Sequence, residues 1–139
     1  MVEKRTVLFV DDDEIILRSI KRGFLDEQYN QLFAKSGNEA LEILQREEVH
    51  IIVTDMRMPG MDGLELLKIV RETYPHIVKI VLSGYTDMSA FQQEFNQGEI
   101  FRFICKPWKL EADFKKAISQ ALDHYNLQNE CETIPQRIP

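Results

Sequence analysis

The chain has 139 residues, enough for one well-buried core and too few for two ordinary domains. Apolar residues make up 44% and charged residues 29%, a globular balance without the signature of disorder. With 17 Lys and Arg against 23 Asp and Glu the net charge is −6, which argues against this domain alone binding nucleic acid non-specifically or binding anionic membranes. The amino terminus carries Lys4 and Arg5, but its apolar run stops at Val10, too short for a signal peptide, and no stretch approaches the length of a membrane span. Cys105 and Cys131 stand far apart, outside any metal-ligand spacing, and read as free thiols in a reducing cytoplasm.

Val7-Leu8-Phe9-Val10 is a continuous apolar run that stops at Asp11-Asp12-Asp13, which suits a central parallel strand covered on both faces. A helical pattern follows from Glu14 to near Asp26, with Ile16, Leu17, Ile20 and Phe24 on one face. A more polar strand over Tyr29 to Ala34 reads as a sheet edge. Ser36-Gly37-Asn38-Glu39 then has the spacing of a capping box and opens a helix that buries Ala40, Leu41 and Leu44. The third strand is His50 to Thr54, running straight into Asp55. Pro59, Gly60 and Gly63 cannot extend it, so Asp55 falls at its carboxyl end on a rigid loop, and Asp62 caps the next helix with Glu65 three residues on. That helix buries Leu66, Leu67 and Val70 and ends before Pro75. Ile77 to Leu82 is a fourth strand, Thr86 caps a helix reaching about Gln97, and Gly98 stops it. The buried face of that helix is thin, mainly Ala90, Phe91 and Phe95. Ile100 to Cys105 is a fifth strand, and after Lys106-Pro107 a long helix buries Leu110, Phe114, Ala117, Ile118, Ala121, Leu122 and Tyr125. Five alternations of strand and helix imply right-handed crossovers and a doubly wound parallel sheet. Only the stretch from about Gln128 to Pro139 reads as a tail or linker.

Four strands end in groups that phosphoryl chemistry uses: Asp11 and Asp12 on the first, Asp55 on the third, Ser83 on the fourth and Lys106 on the fifth. In a parallel sheet these ends share one edge, so residues remote in sequence converge there. Carboxylates crowded together repel unless a cation sits among them, and Mg²⁺, or Mn²⁺ in its place, suits such a position because it keeps waters that phosphate oxygens displace. A carboxylate is also a nucleophile able to form an aspartyl phosphate. Asp55 would take that role, with Lys106 and Ser83 stabilising charge on the transferring group.

The motifs Val10-Asp11-Asp12, Thr54-Asp55-Met56-Arg57-Met58-Pro59-Gly60-Met61-Asp62-Gly63, Leu82-Ser83-Gly84 and Lys106-Pro107 together resemble those of a response-regulator receiver domain, over residues 4 to 127. The resemblance implies a flavodoxin-like five-stranded sheet of order 2-1-3-4-5 with five helices. It further implies that Asp11, Asp12, Asp55 and the Met56 backbone carbonyl hold the metal, and that Asp55 is the phosphoacceptor of a histidine kinase or phosphotransfer protein. Ser83 and Phe103 would be the switch pair, and the Lys106-Pro107 bond would be cis. Such a domain is a switch that promotes its own phosphoryl transfer and dephosphorylation, not an enzyme in the ordinary sense. It would act in the cytoplasm, away from membranes and without contacting nucleic acid itself. Its partners would be an output domain in a longer chain or a second copy docked through the fourth helix, fifth strand and fifth helix. Phe103 departs from the common Tyr and lacks its hydroxyl, and Arg57 occupies a position that influences phosphoryl lifetime in the family. The stretch Phe95 to Phe103 with Lys106-Pro107-Trp108 resembles receivers joined to HD-type phosphodiesterases or to regulators of hydrogenase genes.

Plainer readings exist for the parts. Lys106 alone is a solvated strand-end lysine, and Asp11 to Asp13 alone are acids favoured by a helix dipole. His50, His76 and His124 read as ordinary surface or strand-end residues, and Trp108 as a helix-start packing residue. A small Mg²⁺-dependent phosphatase of the haloacid-dehalogenase type would use Asp11 as nucleophile and Asp13 as general acid. It leaves the Asp55 loop unexplained and lacks an acidic motif after Lys106 beyond Glu111 and Asp113 within a helix.

Overall fold

The computed structural model describes residues 4–83, 88–96, 98–105 and 110–137. Strands β1 (Thr6–Val10), β2 (Asn30–Ala34), β3 (Ile51–Asp55), β4 (Val78–Ser83) and β5 (Arg102–Cys105) alternate with helices α1 (Glu14–Gly23), α2 (Gly37–Arg46), α3 (Gly63–Thr73), α4 (Met88–Glu94) and α5 (Lys116–Arg137). A π-helical stretch, Leu110–Lys115, leads into α5. All pairings are parallel and the order is β2-β1-β3-β4-β5, the expected doubly wound, flavodoxin-like sheet.

The two uninterrupted apolar runs become the two central strands, and every residue of β1 and β3 is buried. Alternation along them feeds two cores. Leu8, Val10, Ile52 and Val81 pack with Ala40, Ile43 and Leu44 of α2 and Leu66, Leu67 and Val70 of α3. Val7, Phe9, Ile51, Val53, Ile80 and Leu82 pack with Leu17 and Ile20 of α1 and with Phe114, Ala117, Ile118 and Ala121 on the α5 side. Phe9, Phe24, Phe33 and Phe114 form an aromatic group within the second core. Helix starts are fixed as the sequence indicates. Asp13 accepts from the Ile15 N–H, Ser36 from Glu39 and Asp62 from Glu65, each filling an otherwise orphaned donor.

Three helix ends differ from expectation. Helix α1 stops at Gly23, because Phe24 leaves helical geometry while its N–H still bonds Ile20. Helix α4 ends at Glu94, and Phe95 is buried just past it. Helix α5 continues to Arg137, so residues 128–137, whose composition suggested a linker, carry helical backbone. His50 stands at the strand end, next to the first residue of β3, and is only 3% exposed. Its Nδ1 accepts from the Thr6 N–H at 2.9 Å, and its ring meets Tyr125 edge-on at 5.0 Å. Arg5 also packs on Tyr125, with its guanidinium 5.0 Å from the ring centroid and its Nε donating to Asn126 at 3.0 Å. The residues entering β1 and β3 therefore grip α5 at the amino-terminal edge of the sheet, opposite the acidic residues.

Candidate functional site

At the carboxyl edge, β1 delivers Asp11 and β3 delivers Asp55, because the central strands stop side by side. Asp11 extends the ladder, its N–H donating to the Ala34 carbonyl at 3.1 Å, and its Oδ1 accepts from the Asp13 N–H at 3.0 Å. Asp11, Asp12 and Asp55 each present a carboxylate oxygen, and all three lie within 4.8 Å of one another. Asp11 is 1% and Asp55 6% exposed, so two of the three charges are withdrawn from water while Asp12 faces it. At an effective dielectric of about 20, each such pair of charges is repulsive by roughly 3 kcal/mol. The donor set fits a hard divalent cation. Three convergent carboxylate oxygens would supply part of the coordination of one such ion and leave its other positions to water.

The loop after Asp55 is held more firmly than Pro59 and the glycines alone require. Met58 is buried in the core beneath α2 and α3, and Met56 and Met61 pack against that core. Gly60 takes φ +75°, which favours glycine. Gly37 lies so close to Met61 that a Cβ there would stand 2.7 Å from its Sδ. Gly63 sits against the backbone of Asp55, and its N–H donates to the Met56 carbonyl at 2.8 Å. The Thr54 hydroxyl donates to the Asp55 carbonyl at 3.0 Å, and the Met56 N–H reaches Leu82 at 3.3 Å. Since the Met56 carbonyl already accepts from Gly63, only its second lone pair remains for the expected metal contact. Reading the sequence missed the methionine anchors and Thr54. Three Met around a Pro-Gly loop were the available signal, since Met fills irregular gaps.

Ser83 ends β4 beside Asp55's strand and pairs with Cys105 in register. Its side chain, and Lys106, Pro107 and Trp108 entirely, lie outside the described residues, as does the expected cis bond. Phe103 pairs with Val81 on β5 and is half-buried against the α2 and α3 core, while Arg57 is exposed. Cys105 is a free thiol. Among the described residues no helix is long and apolar enough to cross a membrane.

A parallel sheet of this order with a carboxylate triad at its carboxyl edge defines a doubly wound α/β domain of the receiver type. A sequence model of the response regulator receiver domain matches residues 7–119, and the chain belongs to that family. It is 38% identical to the hydrogenase transcriptional regulatory protein HoxA of Cupriavidus necator, over 96% of this chain and 28% of that protein. It is 32% identical to the DNA-binding transcriptional regulator NtrC of Proteus hauseri, over 99% of this chain and 29% of that one. The chain thus spans little more than a quarter of these relatives. Among solved structures, the signal receiver domain of an HD domain-containing protein from Pseudomonas fluorescens Pf-5 superposes with a TM-score of 0.82 at 31% identity, covering 89% of this chain and 98% of that one. A CheY-like receiver from Methanospirillum hungatei JF-1 superposes at 0.80 with 27% identity, covering 91% and 99%. The chain is a receiver domain of a two-component response regulator, a switch rather than an ordinary enzyme.

Proposed function

We propose that Asp55 is the phosphoacceptor and that Asp11, Asp12 and Asp55 hold the Mg²⁺ or Mn²⁺ on which its phosphorylation depends. The observation that carries this reading is the convergence of these three carboxylates on one edge, with Asp55 backed by an anchored loop. A bound divalent ion would neutralise charge among the carboxylates and on the phosphoryl oxygens. An Asp55 carboxylate oxygen attacks the phosphorus of a phosphohistidine donor. The new O–P bond forms as the P–N bond breaks, and the imidazole leaves with the electron pair. Lys106 and Ser83 hold phosphoryl oxygens, and Met56 offers its second carbonyl lone pair to the metal. Hydrolysis of the acyl phosphate, by water attacking phosphorus, returns the domain to its resting state.

On this reading residues 4–127 form the receiver and residues 128–139 connect it to an output domain, with a cytoplasmic histidine kinase or phosphotransfer protein as donor. Phosphate at Asp55 is read out through Ser83 and Phe103 and alters the face of α4, β5 and α5, through which a second copy can dock. Incubation with Mg²⁺ and phosphoramidate, followed by mass spectrometry of the peptides, tests the assignment. One phosphate on Asp55, absent in Asp55→Asn and absent with chelator, is expected. Phosphate on Asp11 instead, or uptake without a divalent ion, would overturn it.

A further inference from the structure

Helix α4 is short, and Arg71 of α3 reaches its carboxyl end. Arg71, in the last turn of α3, donates from Nη1 to the Glu94 carbonyl at 2.9 Å, filling one acceptor that the end of α4 leaves open. Its guanidinium lies 4.6 Å from the centroid of Phe95, which is itself buried in the core. The same Nη1 is 3.8 Å from Glu99, whose carboxylate accepts from the Asn96 N–H, while the Glu99 N–H closes the turn on the Asn96 carbonyl at 3.0 Å. Lys68 also reaches α4, 3.2 Å from the Glu94 carboxylate, but both side chains are about two-fifths exposed and such a pair contributes little. Among the described residues the firmest link between α3 and the end of α4 is therefore Arg71's: a charge-assisted hydrogen bond to backbone, a contact with a buried ring and an acid beyond it.

We infer that Arg71 is a positioning residue that pins the carboxyl end of α4, so that phosphorylation moves this helix as a lever about Glu94 and Phe95. The amino end, which follows Ser83 in the chain, makes the travel. This inference rests on the phosphorylation of Asp55 proposed above. A seven-residue helix is only about 10 Å long, so a fixed end converts a small displacement near Ser83 into a tilt of the whole α4 surface. A helix held at neither end would slide instead.

The amides of residues 88–91, Asn96 and Glu99 report on the two ends by NMR. In the parent protein, Mg²⁺ and phosphoramidate should shift the signals of residues 88–91 and leave Asn96 and Glu99 in place. In Arg71→Gln, amide exchange at Asn96 and Glu99 should rise at least about tenfold even without phosphate, the scale of one lost charge-assisted hydrogen bond. Their signals should then also move on phosphorylation. Arg71→Lys keeps a donor for the Glu94 carbonyl and should restore much of the protection, whereas Lys68→Ala should resemble the parent. Parent signals at Asn96 and Glu99 moving as far as those of residues 88–91 would overturn the lever. Unchanged exchange in a folded Arg71→Gln protein would overturn the pin. A parent protein that takes up no phosphate at Asp55 would instead refute the proposed function, and the exchange comparison would still decide the role of Arg71.

Discussion

A methyl group at Gly63 would stand 2.3 Å from the Asp55 carbonyl oxygen and 3.0 Å from the Met56 Cα. Both are backbone atoms, so no side-chain rotation relieves the contact, and the end of β3 must separate from the first turn of α3. Overpacking of this kind costs roughly 1–3 kcal/mol. The opposing gain, from replacing glycine by alanine in a helix, is roughly 0.5–1 kcal/mol in mid-helix and smaller at a first-turn position. The clash prevails. Gly63→Ala should lose about 1–2 kcal/mol net, which for a domain of this size lowers Tm by roughly 3–8 °C. Because the displaced oxygen belongs to Asp55 itself, phosphoramidate-driven phosphorylation should slow by about tenfold or more, as expected when a reacting group is moved by a fraction of an ångström. Thermal unfolding by circular dichroism and intact-mass kinetics measure the two effects. A variant with parental Tm and parental rate would show that the loop yields freely and that its close packing does not position Asp55.

Other expectations concern charge and burial. Asp12→Asn removes a hard charged oxygen from the triad, so the rise in Tm that Mg²⁺ gives the parent should shrink strongly; equal rises in both would contradict the assigned ligand. Burial holds the Lys79 ammonium below the ordinary lysine pKa, against the pull of Glu99 in the other direction. The unfolded chain therefore binds that proton more tightly, and the penalty is relieved as pH rises from the lowered folded value toward about 10.5. Lys79→Met should be more stable than the parent at pH 7, with the gap narrowing as pH approaches 10.5. Urea titrations at both pH values test this, and a less stable variant at pH 7 would mean that attraction to Glu99 outweighs burial. The Tyr29 hydroxyl is buried and has no hydrogen-bond partner among the described residues, so Tyr29→Phe should keep or raise stability by up to about 1 kcal/mol. A fall in its urea midpoint would count against that.

The sheet was readable because its central strands are pure apolar runs ending in acids. Val7 to Val10 and Ile51 to Thr54 admit few alternatives, and once their ends are aligned Asp11, Asp12 and Asp55 must meet. Helix starts were equally plain, since Asp13, Ser36 and Asp62 carry their capping chemistry in their own side chains. Helix ends were harder: Phe24 is apolar and buried yet lies outside α1, so hydrophobic periodicity overran the true stop. His50, read as a surface or strand-end residue, does sit at a strand end, but its burial could not be seen until the Thr6 N–H on the neighbouring strand was known to donate to its Nδ1. Arg71 gave no local signal either. Its partners, Glu94, Phe95 and Glu99, are more than 20 positions away, and only the packing of α3 beside α4 makes them neighbours.

The grip of Arg5 on Tyr125 and Asn126, and of His50 on Tyr125, fixes the rotational phase of α5 where it passes the edge of the sheet. Beyond that point the helical backbone runs on to Arg137. Each residue inserted or deleted there turns whatever is joined to it by about 100° and shifts it by about 1.5 Å. Junctions built onto this chain are therefore periodic. Spacers differing by a whole number of turns, about 7 residues for two, present an attached domain in nearly the same orientation, while a change of two residues faces it the opposite way.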